Sequence, residues 1–211
     1  MKTLETLELT SAQLDALTEI GNIGAGHAAT VLAQLLGERI TITVPKVSIV
    51  PIARAHEIVG EIEAVVVGIY LRVYGDAPGS ILYLFPRQSA MELVDIMVGR
   101  KVGTTSLLRE YEQSALKEIG NILTGAFLYA LANFTGLAML PSVPAYAMDM
   151  AGAILGTVLL EMGTVSDYAL AIETDFLTKH QESRGHFFLL PDPGTLDVLL
   201  NAIGVGPGCS K

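Results

Sequence analysis

The chain has 211 residues, of which 22 are acidic and 13 basic, so its formal net charge at pH 7 is -9. Such an acidic protein does not bind nucleic acid through the phosphates, because that contact requires a basic face. Hydrophobic residues make up 51% of the chain and charged residues 17%, which is typical of a protein with a buried core. The composition therefore excludes a disordered chain and favours a compact protein that meets other proteins.

The chain ends and the cysteine content indicate where the protein acts. The N-terminal run Met1–Glu8 contains acidic residues where a signal peptide would have an apolar stretch. The single cysteine, Cys209, lies in a polar tail and cannot build a disulfide framework. We therefore expect a cytoplasmic protein.

The first predicted element is a long helix with two distinct faces. Advancing about 100° per residue, its apolar residues fall within one arc of roughly 120°, which predicts the core face. That arc contains Leu14, Leu17, Ile20, Gly21, Gly24, Ala28, Val31, Leu32 and Leu35. Asp15, Glu19 and Asn22 cluster on a different face, and Gly26 lies there one turn beyond the asparagine.

Strand-like runs and a second, shorter helix follow this long helix. We predict strands at Ile40–Val44, Val65–Val73 and Ser80–Phe85, and a helix near Gln88–Val98. The turn sequence Asp76–Gly79 separates two alternating runs, so a hairpin is expected there.

The next long helix repeats the first one. Without gaps, Asp15–Pro45 aligns with Ser114–Pro144 at a constant offset of 99, and 13 of the 31 pairs are identical. The run Glu19–Ile23 recurs unchanged as Glu118–Ile122. Identity over this length is hard to attribute to shared helix propensity, so we infer an internal duplication. We expect one domain over residues 1–211, made of two repeats at about 10–105 and 109–205.

The rest of the second half matches the first more loosely. We predict strands at Ala138–Val143, Tyr168–Phe176 and His186–Leu190, and helices at Asp149–Met162 and near Thr195–Ile203. The expected fold class is α+β, internally duplicated, with a pseudo-two-fold axis and helices packed on a largely antiparallel sheet.

The stretch from Ile122 to Met148 contains no charged residue and is long enough to span a bilayer. Pro141 and Pro144 interrupt it, and its counterpart in the first half carries Glu38 and Arg39. We therefore interpret it as a buried helix followed by a strand.

Two pairs of repeated glycines occupy different faces of the long helices. Glycine costs a helix about 1 kcal/mol relative to alanine. On the core arc, Gly21 and Gly120 are explained by close packing against a neighbour. Gly26 and Gly125 lie on the polar face instead, where a missing side chain would let another surface approach the Glu and Asn.

The Glu-x-x-Asn pairs have two possible explanations. Glu19 with Asn22, and Glu118 with Asn121, can simply be solvated helix residues. Asparagine is a poor helix former, however, and the same spacing occurs twice. The repetition favours a functional role.

Other motifs do not indicate a catalytic centre. The run Gly24–Ala29 fits a relaxed dinucleotide-binding fingerprint, but it lies within a helix and not after a strand. The four histidines show no metal-ligand spacing, and His27 is replaced by Ala126 in the second copy. No nucleophile motif is present, so neither nucleophilic catalysis nor a resident metal ion is expected.

The pattern [Asp/Ser]-x3-Glu-x2-Asn-x22-Pro occurs twice with identical spacing. It fits Asp15, Glu19, Asn22 and Pro45 in the first half. It fits the second half at Ser114, Glu118, Asn121 and Pro144. This doubled motif resembles the CheC/CheX/FliY family of phosphatases, and the resemblance covers nearly the whole chain. Two motifs without an additional switch domain are most similar to the CheC type of that family.

The resemblance implies an enzyme that hydrolyses the aspartyl phosphate of the chemotaxis response regulator CheY. It implies that Asn22 and Asn121 orient the attacking water, as side-chain amides do in other phosphoryl transfers. Glu19 and Glu118 would contact a lysine of the regulator, since a carboxylate beside a phosphoryl group needs a cation. The Mg²⁺ would be supplied by the phosphorylated regulator, and the chain would need no cofactor of its own.

Further contacts are implied for the partner surfaces. Asp15 and Ser114 would support the helix face or touch the regulator, next to Gly26 and Gly125. Relatives of the CheC type also bind the receptor deamidase CheD, and the segment that begins at Asp149 would contribute to that surface. The alternative to a phosphatase is therefore a module that mainly binds CheD and has weak or vestigial phosphatase activity.

Overall fold

The structure is a computed structural model that describes residues 9–37, 39–51, 58, 62–162, 168–177 and 182–204. The helices of this part of the chain are α1 (Ser11–Leu36), α2 (Arg87–Met97), α3 (Glu110–Thr135), α4 (Ala151–Met162) and α5 (Thr195–Ala202). Its strands are β1 (Thr41–Pro51), β2 (Val65–Gly75), β3 (Gly79–Pro86), β4 (Met139–Pro141), β5 (Ala145–Met150), β6 (Tyr168–Leu177) and β7 (Glu182–Pro191).

The seven strands form one antiparallel sheet. Its order is β1-β6-β7-β3-β2-β4, and β5 also pairs with β2. The hairpin expected at Asp76–Gly79 joins β2 to β3, and Gly75 enters its turn at a φ of 113°, a backbone angle that favours glycine. The predicted α+β class and antiparallel sheet are confirmed.

The pseudo-two-fold axis is visible in the strand pairing. At the offset of 99, β4 and β5 together are the counterpart of β1, and β6 is the counterpart of β2. The pairs cross between the halves, since β1 pairs with β6 and β5 pairs with β2. Val47 opposite Ile172 is the counterpart of Tyr146 opposite Ile69. Because equivalent residues meet in both pairs, the duplication extends from sequence to sheet register.

The two faces of the sheet carry different layers. The larger core lies beneath α1, α2, α3 and α5, where strand residues such as Ile69, Ile81 and Ile172 are buried. On the opposite face α4 covers a smaller core that contains Leu82, Leu84 and Phe188. The repeated helices therefore lie side by side on one face.

Local signals define the ends of the repeated helices. Thr10 caps α1, because its Oγ1 accepts a hydrogen bond from the Gln13 backbone N–H. In return the Gln13 side-chain Oε1 accepts a hydrogen bond from the Thr10 backbone N–H. Gly37 and Gly136 end α1 and α3 in the left-handed conformation. No helix among the described residues is long and apolar enough to cross a membrane, and the uncharged stretch from Ile122 to Met148 forms the end of α3, then β4 and most of β5.

Two sequence predictions were wrong in detail. The short helix begins at Ala151, so Asp149 belongs to β5, an edge strand that was not predicted. Helix periodicity does not reveal such a strand, because most of its side chains are exposed on both faces.

The core arc was also drawn too wide at the helix ends. Val31 and Leu35 of this arc are 47% and 56% exposed, and Phe134, the counterpart of Leu35 in the second copy, is 48% exposed. A helical wheel gives the buried stripe one width along the whole helix, whereas the last turns of α1 and α3 bury fewer side chains. At the same level of α1, Leu32 stays buried.

Candidate functional site

Both Glu-x-x-Asn pairs lie on the solvent side of the repeated helices. Glu19 and Asn22 are exposed on α1, and Glu118 and Asn121 are exposed on α3. The neighbouring core residues Ile20 and Ile119 are 1% and 2% exposed. The helical wheel therefore separated the polar face from the core face correctly at these positions.

The glycines of the two faces have different surroundings. At Gly120 an added Cβ would lie 2.5 Å from the Cγ2 of Ile69, and at Gly21 it would lie 3.4 Å from the Cγ1 of Val44. At Gly26 and Gly125 an added Cβ would meet nothing within 4 Å. The first pair allows close packing, and the second pair leaves open space beside each asparagine.

The α1 asparagine is bonded within the chain. Its Oδ1 accepts a hydrogen bond of 3.1 Å from the Val44 backbone N–H, and its Nδ2 donates one of 3.1 Å to the Thr18 carbonyl. Val44 precedes Pro45 at an irregularity of β1, where the pairing with β6 shifts between Thr43 and Lys46. The first and last residues of the Asn-x22-Pro motif are thereby brought close together.

The second copy departs from this arrangement. Ser142 joins the chain to β2 by two hydrogen bonds, donating from its N–H to the Arg72 carbonyl at 2.8 Å and accepting from the Arg72 N–H on its Oγ at 2.9 Å. Val143, the counterpart of Val44, is 87% exposed, whereas Val44 is 6% exposed. Within the described part of the chain, no hydrogen bond engages the Asn121 side chain.

Known proteins match the chain in the segments that build this site. The sequence model of the CheC-like family matches residues 13–49 and 112–146, which are the repeated helix and the strand region after it. The CheY-P phosphatase CheC of Bacillus subtilis is 36% identical over 196 residues, covering 91% of this chain and 94% of that protein. The chain belongs to the CheC-like family.

Two further proteins connect this CheC-like chain to a flagellar phosphatase. The flagellar motor switch phosphatase FliY of Bacillus subtilis is 30% identical over 123 residues, covering 58% of this chain and 32% of FliY. The crystal structure of Thermotoga maritima FliY has a TM-score of 0.77 at 20% identity, covering 96% of this chain and 99% of that one. The CheC-like chain therefore shares its fold with FliY.

The remaining predicted residues of the CheC-like chain lie on its surface. Asp15 is exposed one turn before Glu19, and Ser114 donates a hydrogen bond of 2.8 Å from its Oγ to the Glu110 carbonyl. Asp149 is exposed in β5 and lies opposite Val66, a residue of the smaller core on the other face of the sheet, and its Oδ1 accepts from the Met150 N–H. Asp149 therefore belongs to a different surface from the Glu-x-x-Asn pairs.

One aromatic contact joins the two repeated helices near the site. The rings of His27 and Tyr129 lie 5.4 Å apart between centroids, and both side chains are exposed. His27 is thus a helix-face residue, as its replacement by Ala126 in the second copy predicts. Among the described residues, no group of three or more His, Cys, Asp or Glu side chains could hold a metal ion.

Sequence reasoning did not identify Val44 and Ser142 as parts of the site. Val44 and Val143 are identical in the two copies and each precedes the motif's proline. That identity indicates that the position belongs to the repeated motif, but it does not show which backbone group forms a hydrogen bond with the asparagine.

Proposed function

We propose that this CheC-like protein hydrolyses the aspartyl phosphate of a CheY-like response regulator at its two Glu-x-x-Asn pairs. Glu118 and Asn121 carry the proposal, since both are exposed and, among the described residues, neither side chain has a hydrogen bond or ion pair. A structural role would require partners for these side chains. Family membership and the name of the Bacillus subtilis relative, a CheY-P phosphatase, support the same activity.

In the proposed mechanism, an asparagine enters the regulator's active site and orients water for attack on the phosphorus. Phosphoryl transfer depends mainly on positioning and on stabilisation of charge, which a side-chain amide can provide without ionising. Asn22 and Asn121 are given this role. The water oxygen forms a new bond to phosphorus, and the bond between phosphorus and the aspartate oxygen breaks. The aspartate keeps that oxygen and is regenerated as a carboxylate, while inorganic phosphate, with an oxygen from the water, is released together with the water protons.

The glutamates are assigned to anchoring. Glu19 and Glu118 lie about one helical turn before their asparagines, which puts both side chains of a pair on one face. A carboxylate this close to a phosphoryl group is unfavourable unless it meets a cation. We propose that each glutamate contacts a lysine of the regulator. The Mg²⁺ of the reaction would also be supplied by the regulator.

The open space at Gly26 and Gly125 supports contact with a large partner. A missing side chain next to each asparagine allows the partner's backbone or loops to approach the helix closely. Asp15 and Ser114 lie one turn before the glutamates and would form the edge of this contact. The reaction would take place in the cytoplasm.

The test is the lifetime of the phosphorylated regulator with wild type, Asn22→Ala, Asn121→Ala and the double variant. Loss of an oriented amide at a reacting phosphoryl group is expected to lower the rate about 100-fold or more in the double variant. Asn133→Ala is the matched control, because Asn133 is also exposed on α3 but lies outside the motif. If the double variant dephosphorylates the regulator at the wild-type rate, the mechanism is wrong.

A second candidate function is binding of CheD, with weak or vestigial phosphatase activity. The observation that favours it is an exposed surface at the start and end of α4, where Asp149 is exposed and Leu160 is 84% exposed. Tight CheD binding that Asp149→Ala or Leu160→Ala weakens, together with an unchanged phospho-regulator lifetime, would favour this alternative.

A further inference from the structure

The side-chain amide of Asn22 is exposed, but its oxygen and its nitrogen each form a hydrogen bond within the chain. Its Oδ1 accepts from the Val44 N–H and its Nδ2 donates to the Thr18 carbonyl, each at 3.1 Å. A side chain that orients water in a partner needs these same two atoms. The first site is therefore occupied by a backbone group of its own protein.

The irregular pairing of β1 explains why this bond forms. Thr43 and Lys46 have partners in β6, whereas Val44 and Pro45 between them have none. An extra residue at a bulge loses its ladder hydrogen bond, and a buried N–H without an acceptor is costly. Pro45 has no N–H, so Val44 is the donor that needs an acceptor, and Asn22 provides it.

The second site lacks this bond although the asparagine and the Val-Pro pair are repeated there. Val143-Pro144 repeats Val44-Pro45, and Asn121 repeats Asn22. Here Ser142 forms two hydrogen bonds with the Arg72 backbone and donates a third from its Oγ to the Val143 carbonyl. The Val143 side chain is 87% exposed. Among the described residues, the Asn121 amide has no hydrogen-bond partner to release.

We propose that the two sites are unequal because the first is capped by its own β1 strand. Asn22 must leave the Val44 N–H before it can enter a partner, whereas Asn121 is available at once. This inference rests on the proposed function for the identity of the partner, a phosphorylated response regulator. One intramolecular hydrogen bond changes an equilibrium by a factor of about two to ten, and the first site is weakened by that factor.

Hydrogen exchange of the Val44 amide tests the cap without reference to activity. In wild type this amide is protected, and Asn22→Ala increases its exchange rate more than about threefold. Asn121→Ala leaves it unchanged, and Asn22→Asp, which keeps a side-chain acceptor, leaves it protected. The Leu84 amide in the centre of the sheet reports that each variant is folded. Unchanged exchange of Val44 in a folded Asn22→Ala protein overturns the cap, as does loss of its protection in Asn121→Ala.

Variants that keep only one of the two asparagines test whether the two sites differ in activity. Asn121→Ala keeps only the first site, and its kcat/KM for the phosphorylated regulator is expected to be about two- to tenfold below that of Asn22→Ala. Equal or reversed values overturn the inequality of the sites. If wild type itself does not shorten the lifetime of the phosphorylated regulator, the proposed function fails. The hydrogen bond between Asn22 and Val44 is then tested by the hydrogen exchange of the Val44 amide alone.

Discussion

Ile69 of β2 packs directly against Gly120 of α3, so that a Cβ at position 120 would lie 2.5 Å from the Ile69 Cγ2. Ile69 is fully buried, and its β-branched side chain has little freedom to move away. The glycine that weakens the helix locally therefore allows the helix to approach the sheet.

We predict that Gly120→Ala lowers the free energy of unfolding by about 1–3 kcal/mol, because overpacking against Ile69 outweighs the gain in helix propensity. Urea unfolding measures this change. Gly21→Ala is the matched control at the same position of the first repeat, where the added Cβ would be 3.4 Å from Val44, an ordinary contact. Equal effects of the two substitutions would contradict the packing argument.

Alanine at the open glycines is expected to separate stability from function. Gly26→Ala and Gly125→Ala add a Cβ that meets nothing within 4 Å, so each should stabilise the helix by about 0.5–1 kcal/mol. If these glycines admit the regulator, the same changes raise KM in the phosphatase assay. A stabilised protein with unchanged KM would show that the open space does not serve partner binding.

The helix face was predictable from the sequence because its cause is local. A period of 3.6 residues places Glu19 and Asn22 away from Ile20 in any straight helix, whatever the rest of the chain does. The duplication was likewise visible in one sequence, and with it the expectation of a symmetric sheet. The antiparallel order follows from hairpins such as Asp76–Gly79.

The difference between the two sites was not predictable in this way. Val44 and Val143 each follow a hydroxyl residue and precede a proline, yet one is buried and the other is exposed. Their positions depend on a bulge in β1 and on the contact between Ser142 and Arg72, which lies 70 residues away. Contacts over such distances depend on the assembled sheet, and no local pattern reports them.

Ser142 is expected to contribute to stability through the Arg72 backbone. Ser142→Ala removes the acceptor of the Arg72 N–H, and the free energy of unfolding should fall by about 1 kcal/mol. Thr43→Ala, the equivalent change in the first repeat, is the control, because Thr43 is exposed, and it should alter stability by less than about 0.5 kcal/mol. Urea unfolding of both variants decides the matter, and a larger effect at Thr43 would refute the assignment.

Asp95 connects α2 to the loop before α3. Its side chain is fully buried and accepts hydrogen bonds from the backbone N–H groups of Gly103, Thr104 and Thr105 and from both threonine hydroxyls. Burial alone would raise the pKa of Asp95, but the bonds from Thr105 and Thr104 outweigh it and hold the pKa below its usual value. The ionised form is therefore the form that stabilises the fold.

The sign of the pH dependence follows from this lowered pKa. The stabilisation by Asp95 is complete above the unfolded-state pKa of about 3.9 and is lost as the pH falls through the lower folded-state value. We expect Asp95→Asn to lower the free energy of unfolding by about 2–4 kcal/mol at pH 7, since the hydrogen bonds to a charged acceptor are lost. The deficit relative to wild type should shrink as the pH is lowered from 5 to 3 in urea unfolding. Asp197→Asn, at an exposed position of α5, is the control, and a deficit for Asp95→Asn that stays constant with pH would contradict the proposed role of the charge.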